Sequence, residues 1–127
     1  MAGTKKKSES SENYLETIFI LSRRLPVVRN ADISSELKFK RSSVSAAVKK
    51  LKDVGQINVS PQGYIKLTEA GLTAAQSLYE KHTFFANWLK QLGVDPETAE
   101  KDAREMEHAV SEESFYAMKF FINTLWT

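Results

Sequence analysis

Both histidines of this 127-residue chain stand among acids. His108 closes the run DAREMEH, in which Arg104, Glu107 and His108 fall at i, i+3 and i+4 and so project from one face of a helix. His82 stands earlier, in YEKH, and Asn13 and Glu16 lie three apart near the start. Imidazoles and carboxylates drawn from three helices form a donor set for Mn²⁺, Fe²⁺ or Zn²⁺. The same stretch also reads as an ordinary charged surface, because Glu97–Lys101, Glu100–Arg104 and Lys101–Glu105 are i,i+4 pairs. Spacing leaves both readings open. A second set of residues suits a different chemistry. Between Lys38 and Lys52 there are six Lys/Arg and no acid. Such a run on one helix is a phosphate-binding surface when the elements around it present it.

Those elements follow from periodicity. Tyr14, Leu15, Ile18, Leu21 and Leu25 recur at helical spacing until Pro26, after a tail at 1–10 that is expected to be disordered. A short helix is predicted from about Asn30, as its cap, through Ile33 and Leu37. A third begins near Arg41 and turns Val44, Val48 and Leu51 inward before Gly55. That inward set leaves Ser42, Ser45, Ala46, Lys49 and Lys50 outward, small polar residues mixed with cations. Ile57 and Val59, the turn Ser60-Pro61-Gln62-Gly63 and the return YIKLT form a two-stranded hairpin. Three short helices and a hairpin make a winged helix-turn-helix, with the cationic run on its third helix. Thr68 caps a long helix with Leu72, Ala75, Tyr79, His82, Ala86 and Leu89 on a shared face. Asp95-Pro96-Glu97 restarts a helix after Gly93, and Ser111 opens a last one carrying Phe115, Met118, Ile122 and Leu125. The fold class is mostly α. Its domains are expected at 11–71, the winged helix-turn-helix, and 72–127, a helical metal-binding and dimerisation domain.

Charge divides along the same line. Residues 1–68 carry 13 Lys+Arg against 6 Asp+Glu, while 69–127 carry 5 against 10, so +7 and −5 combine in the net +2. A basic half points to a polyanion. The absence of cysteine excludes disulfides, thiolate metal clusters and a cysteine nucleophile, in keeping with a reducing cytoplasm. No run approaches the roughly 18 apolar residues of a membrane span, and the N-terminus is not read as a signal peptide.

The order ENYLETIFIL, LKFKRSSVSAAVKKLKDVG, GYIKLTEAG, YEKH with LGVD, then EMEHAVS resembles the DtxR/MntR family of metal-dependent transcriptional repressors, from about Ser11 to Phe121. The resemblance implies a winged helix on an operator, a homodimer through the helical domain, and Fe²⁺ or Mn²⁺ as co-repressor. It is to the shorter manganese-responsive members, without the SH3-like third domain. Residue by residue, Glu16, His82, Glu107 and His108 match ligand positions, and Asn13 stands where that type has an aspartate. Arg104 replaces a ligand, and an arginine is always charged and cannot ligate. One metal is therefore expected rather than two.

The expectation is a sequence-specific repressor controlled by Mn²⁺ or Fe²⁺, with Zn²⁺ a third candidate. Lys40, Arg41, Ser42, Ser43, Ser45, Lys49, Gln62 and Lys66 are its predicted DNA contacts, on a double-stranded operator. Phe115, Met118, Ile122 and Leu125 are its predicted dimer contacts. The alternative within the fold is a metal-independent regulator, in which the Arg104 guanidinium replaces the ion. A hydrolase with Glu107 as base finds no HExxH-type helix or nucleophile elbow, so no enzyme and no small-molecule substrate are expected.

Overall fold

The computed structural model describes residues 2–126, and side chains from 11 to 125. The elements in order are α1 (Ala2–Arg24), α2 (Asn30–Leu37), α3 (Arg41–Asp53), β1 (Ile57–Val59), β2 (Ile65–Leu67), α4 (Glu69–Gln91), α5 (Pro96–Ala109) and α6 (Glu112–Trp126). The backbone of residues 2–10, expected as a disordered tail, continues α1 instead. Ala, Lys, Ser and Glu without proline let a helix nucleated by the apolar positions after Ser11 extend backward. The chain divides into two compact units, Met1–Gln76 and Ser77–Thr127, so the first takes in residues 72–76 of α4, which the sequence assigned to the second domain.

The first unit is a winged helix-turn-helix. Its core is Tyr14, Leu15, Ile18, Phe19 and Leu21 of α1 against Ile33 of α2, Val44, Val48 and Leu51 of α3, and Ile57 and Ile65 of the hairpin. The inward faces predicted for α1 and α3 are the ones buried. Asn30 is not the cap of α2; Arg29 is, and its backbone N–H donates to Asp32 Oδ2 at 2.8 Å. The side chain of Arg29 reaches the wing, stacking 4.8 Å from the centre of the Tyr64 ring and donating to its hydroxyl at 3.0 Å. Lys38 ends α2 at φ +57°, a left-handed conformation that a residue with a Cβ adopts at a cost of about 1 kcal/mol.

The wing pairs β1 and β2 antiparallel in the register Ile57↔Leu67, Asn58↔Lys66, Val59↔Ile65. Its turn closes with Gly63 N–H donating to Ser60 O at 2.9 Å, and Gly63 takes φ +84°. A bridge from Val28 to Ile65, which alternation did not foretell, adds a third segment at the hairpin's root. Thr68 Oγ1 caps α4, accepting from Gly71 N–H at 3.1 Å while donating to Gly55 O at 2.7 Å. Gly71 lies so near the preceding loop that a Cβ there would sit 1.9 Å from Gln56 O.

The second unit is helical. Phe85, Ala86, Ala103 and Phe115 are its buried centre, with Phe84, Trp88, Met106 and Val110 around them. Phe84, Phe85 and Phe115 meet edge to face at 5.5–5.9 Å between ring centres, the arrangement aromatic quadrupoles favour. The stripe predicted on α4 is corrected: Leu72 and Tyr79 are exposed, and Leu78 and Phe85 are buried instead. Both stripes share Ala75 and Ala86, and periodicity cannot choose between them when apolar residues surround the helix. Asp95 caps α5 through Oδ2, which accepts from Glu97 and Thr98 N–H, with Pro96 at the first helical position.

Candidate metal centre and nucleic-acid interface

The acids and imidazoles of the second unit gather around Glu107. It sits on the buried face of α5 with Ala99 and Ala103, and is 1% exposed. A buried carboxylate needs compensation. His82 of α4 provides part of it, with Nδ1 2.8 Å from Glu107 Oε1. His108 Nε2 lies 3.6 Å from Glu107 Oε2, too long for a hydrogen bond, and that oxygen is buried without one. The outer edge of His82 is also engaged, Nε2 standing 2.8 Å from Glu100 Oε1. Glu100 Oε2 in turn accepts from Lys90 Nζ at 2.6 Å. These contacts, that of Lys90 first and that of His82 second, hold the Glu100 carboxyl below the usual glutamate range.

Lys81, the residue before His82, is buried as well. Its Nζ donates to Val110 O at 3.0 Å, binding the carbonyl end of α5 just past Glu107 and His108. A cation there suits the negative end of the helix dipole. Ser77 bonds Glu112 beside it, so one turn of α4 grips the α5–α6 corner.

The donor chemistry fits a divalent ion: two imidazoles flank a carboxylate that has a spare buried oxygen. The grouping is a hydrogen-bonded cluster rather than a ready cage, since among the described residues no three His, Asp or Glu side chains stand at ligand spacing. Of the predicted ligands, the structure brings His82, Glu107 and His108 together. Glu16, also predicted, is buried at 3% in α1 of the first unit, and Asn13 is half-buried one turn before it. Arg104 is exposed on α5 and forms no ion pair with Glu107, although i,i+3 spacing would permit one. Glu100 was missed. In sequence it pairs with Arg104 on a solvent face, whereas its partners His82 and Lys90 are on α4.

The cationic surface of the first unit is laid out as its period predicted. Lys40, Arg41, Ser42, Ser43, Ser45 and Lys49 are all exposed, as are Gln62 at the wing tip and Lys66 on β2. Lys49 lies 3.1 Å from Asp53 one turn on, an exposed pair of little net energy and easily exchanged for a phosphate. Asn30 Nδ2 donates to Ser45 Oγ at 3.3 Å, tying α2 to the outer face of α3.

On α6 the predicted apolar row divides. Phe115 is 1% exposed inside its own core and so is corrected out of any contact surface. Met118 and Leu125 are exposed and Ile122 is half-buried. Tyr116, Phe120 and Phe121 are exposed beside them, Phe120 at 74%.

A winged helix with a cationic third helix, followed by a helical unit built round acids and imidazoles, is the architecture of a transcription regulator. Residues 6–65 match the iron dependent repressor N-terminal DNA binding domain, and residues 68–125 match the iron dependent repressor metal binding and dimerisation domain. The chain belongs to the iron dependent repressor family. It is 36% identical over 115 residues to the transcriptional regulator MntR of Escherichia coli O6:H1, covering 91% of this chain and 74% of that one. It is also 36% identical over 118 residues to the HTH-type transcriptional regulator MJ0568 of Methanocaldococcus jannaschii, covering 91% and 94%. Among solved structures, the manganese regulator SloR superposes with a TM-score of 0.78 at 30% identity, over 89% of this chain and 53% of that one. IdeR of T. acidophilum gives 0.73 at 26% identity, over 88% and 53%. The chain thus spans about half the length of these solved relatives. The relatives are transcriptional regulators, not enzymes. No described helix is long and apolar enough to cross a membrane.

Proposed function

We propose that the chain is a DNA-binding repressor whose hold on an operator is controlled by one divalent ion, Mn²⁺ or Fe²⁺. The observation that carries the metal half is Glu107, fully buried between two imidazoles with one oxygen accepting no hydrogen bond. His82, Glu107 and His108 would hold the ion. When bound, the ion would supply positive charge beside the buried Glu107 carboxylate. The chain's own residues do the rest: Glu107 presents its oxygens, and Lys81 holds the end of the helix that carries Glu107 and His108.

The DNA half rests on the bare outer face of α3. Ser42, Ser43 and Ser45 are short enough to let the helix backbone approach base edges, Arg41 at its first turn suits a guanine, and Lys40, Lys49 and Lys66 suit phosphates. Gln62 would touch backbone beside the groove. The exposed apolar side chains Tyr116, Met118, Phe120, Phe121 and Leu125 of α6 support a homodimer, whose two-fold axis would match a palindromic operator.

The test is a titration of duplex DNA with purified protein in Mn²⁺, Fe²⁺ or chelator. Tighter sequence-specific binding with either metal, lost on chelation, is expected. Equal binding in all three would instead make this a metal-independent regulator.

A further inference from the structure

His82 is held from both sides. Nδ1 faces Glu107, whose side chain is fully buried, and Nε2 faces Glu100, whose side chain is 46% exposed and anchored by Lys90. An imidazole can give a lone pair to a metal from only one nitrogen while the other carries a proton, and the partner of the protonated nitrogen sets the ring's orientation and basicity. The two partners here differ in kind. Glu107 belongs to the donor cluster and has an oxygen to spare, whereas both Glu100 oxygens are occupied, one by His82 and one by Lys90. We propose that Glu100 is a positioning residue: it accepts the Nε2 proton of His82 and so aims Nδ1, on the Glu107 side, at the ion.

Three features favour this over a surface ion pair. The His82 ring is 13% exposed, so a hydrogen bond to it is not freely exchanged for water. Glu100 lies on α5 two turns before Glu107, so a single helix supplies both the donor and the group that orients its neighbour. Lys90 lies on α4 two turns beyond His82, so the chain His82–Glu100–Lys90 closes between two helices instead of ending in solvent. Nothing in the sequence pattern alone makes Glu100 more than half of an exposed i,i+4 pair.

The inference rests on the metal reading, and the experiment separates the two. Calorimetry of the full chain with Mn²⁺ should show Glu100→Ala weakened about 10–100-fold. Glu100→Gln, whose amide oxygen still accepts from Nε2–H, should stay within a few-fold of wild type. Lys90→Met, which touches neither His82 nor Glu107, should fall between them and guard against a folding defect in Glu100→Ala. On the protein loaded with Zn²⁺, NMR of the imidazole nitrogens should find His82 protonated at Nε2 and metal-bound at Nδ1. Metal at Nε2, Glu100→Ala binding like wild type, or Glu100→Gln failing as badly as Glu100→Ala would each overturn the positioning role. Wild type that takes up none of Mn²⁺, Fe²⁺ and Zn²⁺ overturns the metal reading itself, and the positioning role with it.

Discussion

At position 104 a full positive charge stands one helical turn from Glu107 and His108, on the exposed side of α5. Having no bond to Glu107, the guanidinium can be exchanged without breaking anything in the second unit. Arg104→Glu should therefore leave the melting temperature nearly unchanged and raise Mn²⁺ affinity about tenfold, roughly 1.4 kcal/mol, by removing repulsion and adding a carboxylate. Calorimetry reads both the affinity and any second equivalent of metal; an unchanged isotherm would mean that position 104 lies outside the field of the site. The ligand candidates His82, Glu107 and His108 were legible because rare residue types at i,i+1 and in a matching motif order stand out in a sequence. Glu100 was not, because glutamates on helices are common and its partner on α4 is 18 positions away.

On α3, elements and residues agree closely, since its amphipathic period has only one solution: Val44, Val48 and Leu51 inside, cations and serines outside. Two substitutions should act differently there. Lys49→Ala should weaken operator and random DNA alike and reduce the salt slope by about one, as loss of one phosphate contact does. Arg41→Ala should cost about 1–3 kcal/mol on the operator and relax the preference at one base pair. Filter binding across a salt series distinguishes them, and unchanged values in both variants would remove α3 from the interface. The longer elements were less legible. On α4 two apolar stripes overlap, and packing in the folded units selected the one with Leu78 and Phe85. On α6 the same ambiguity put Phe115 among the partner-facing residues, when the rings of Phe84 and Phe85 had already claimed it. Periodicity reports that a face is buried and is silent on what buries it.

For the molecule as a whole, the charge imbalance and the apolar α6 set its behaviour in solution. A positive first part suits a polyanion and a negative second part suits cations. The exposed apolar side chains of Tyr116, Phe120, Phe121 and Leu125 should make the melting temperature rise with protein concentration, as expected when copies associate. Phe120→Asp should abolish that dependence and sediment as a monomer; a wild type that is monomeric at micromolar concentration would rule the surface out. A last consequence belongs to Gly71, where a methyl group would collide with the Gln56 carbonyl. Gly71→Ala should destabilise the first unit by about 1–3 kcal/mol, read in a thermal melt. In a saturation mutagenesis screen scored by repression, that position would look as intolerant as a metal ligand although its constraint is the close approach to the Gln56 carbonyl. Abundance measured alongside activity would tell the two kinds of intolerance apart: changes at Gly71 should deplete the protein, and changes at Glu107 that preserve folding should leave it plentiful and deaf to metal.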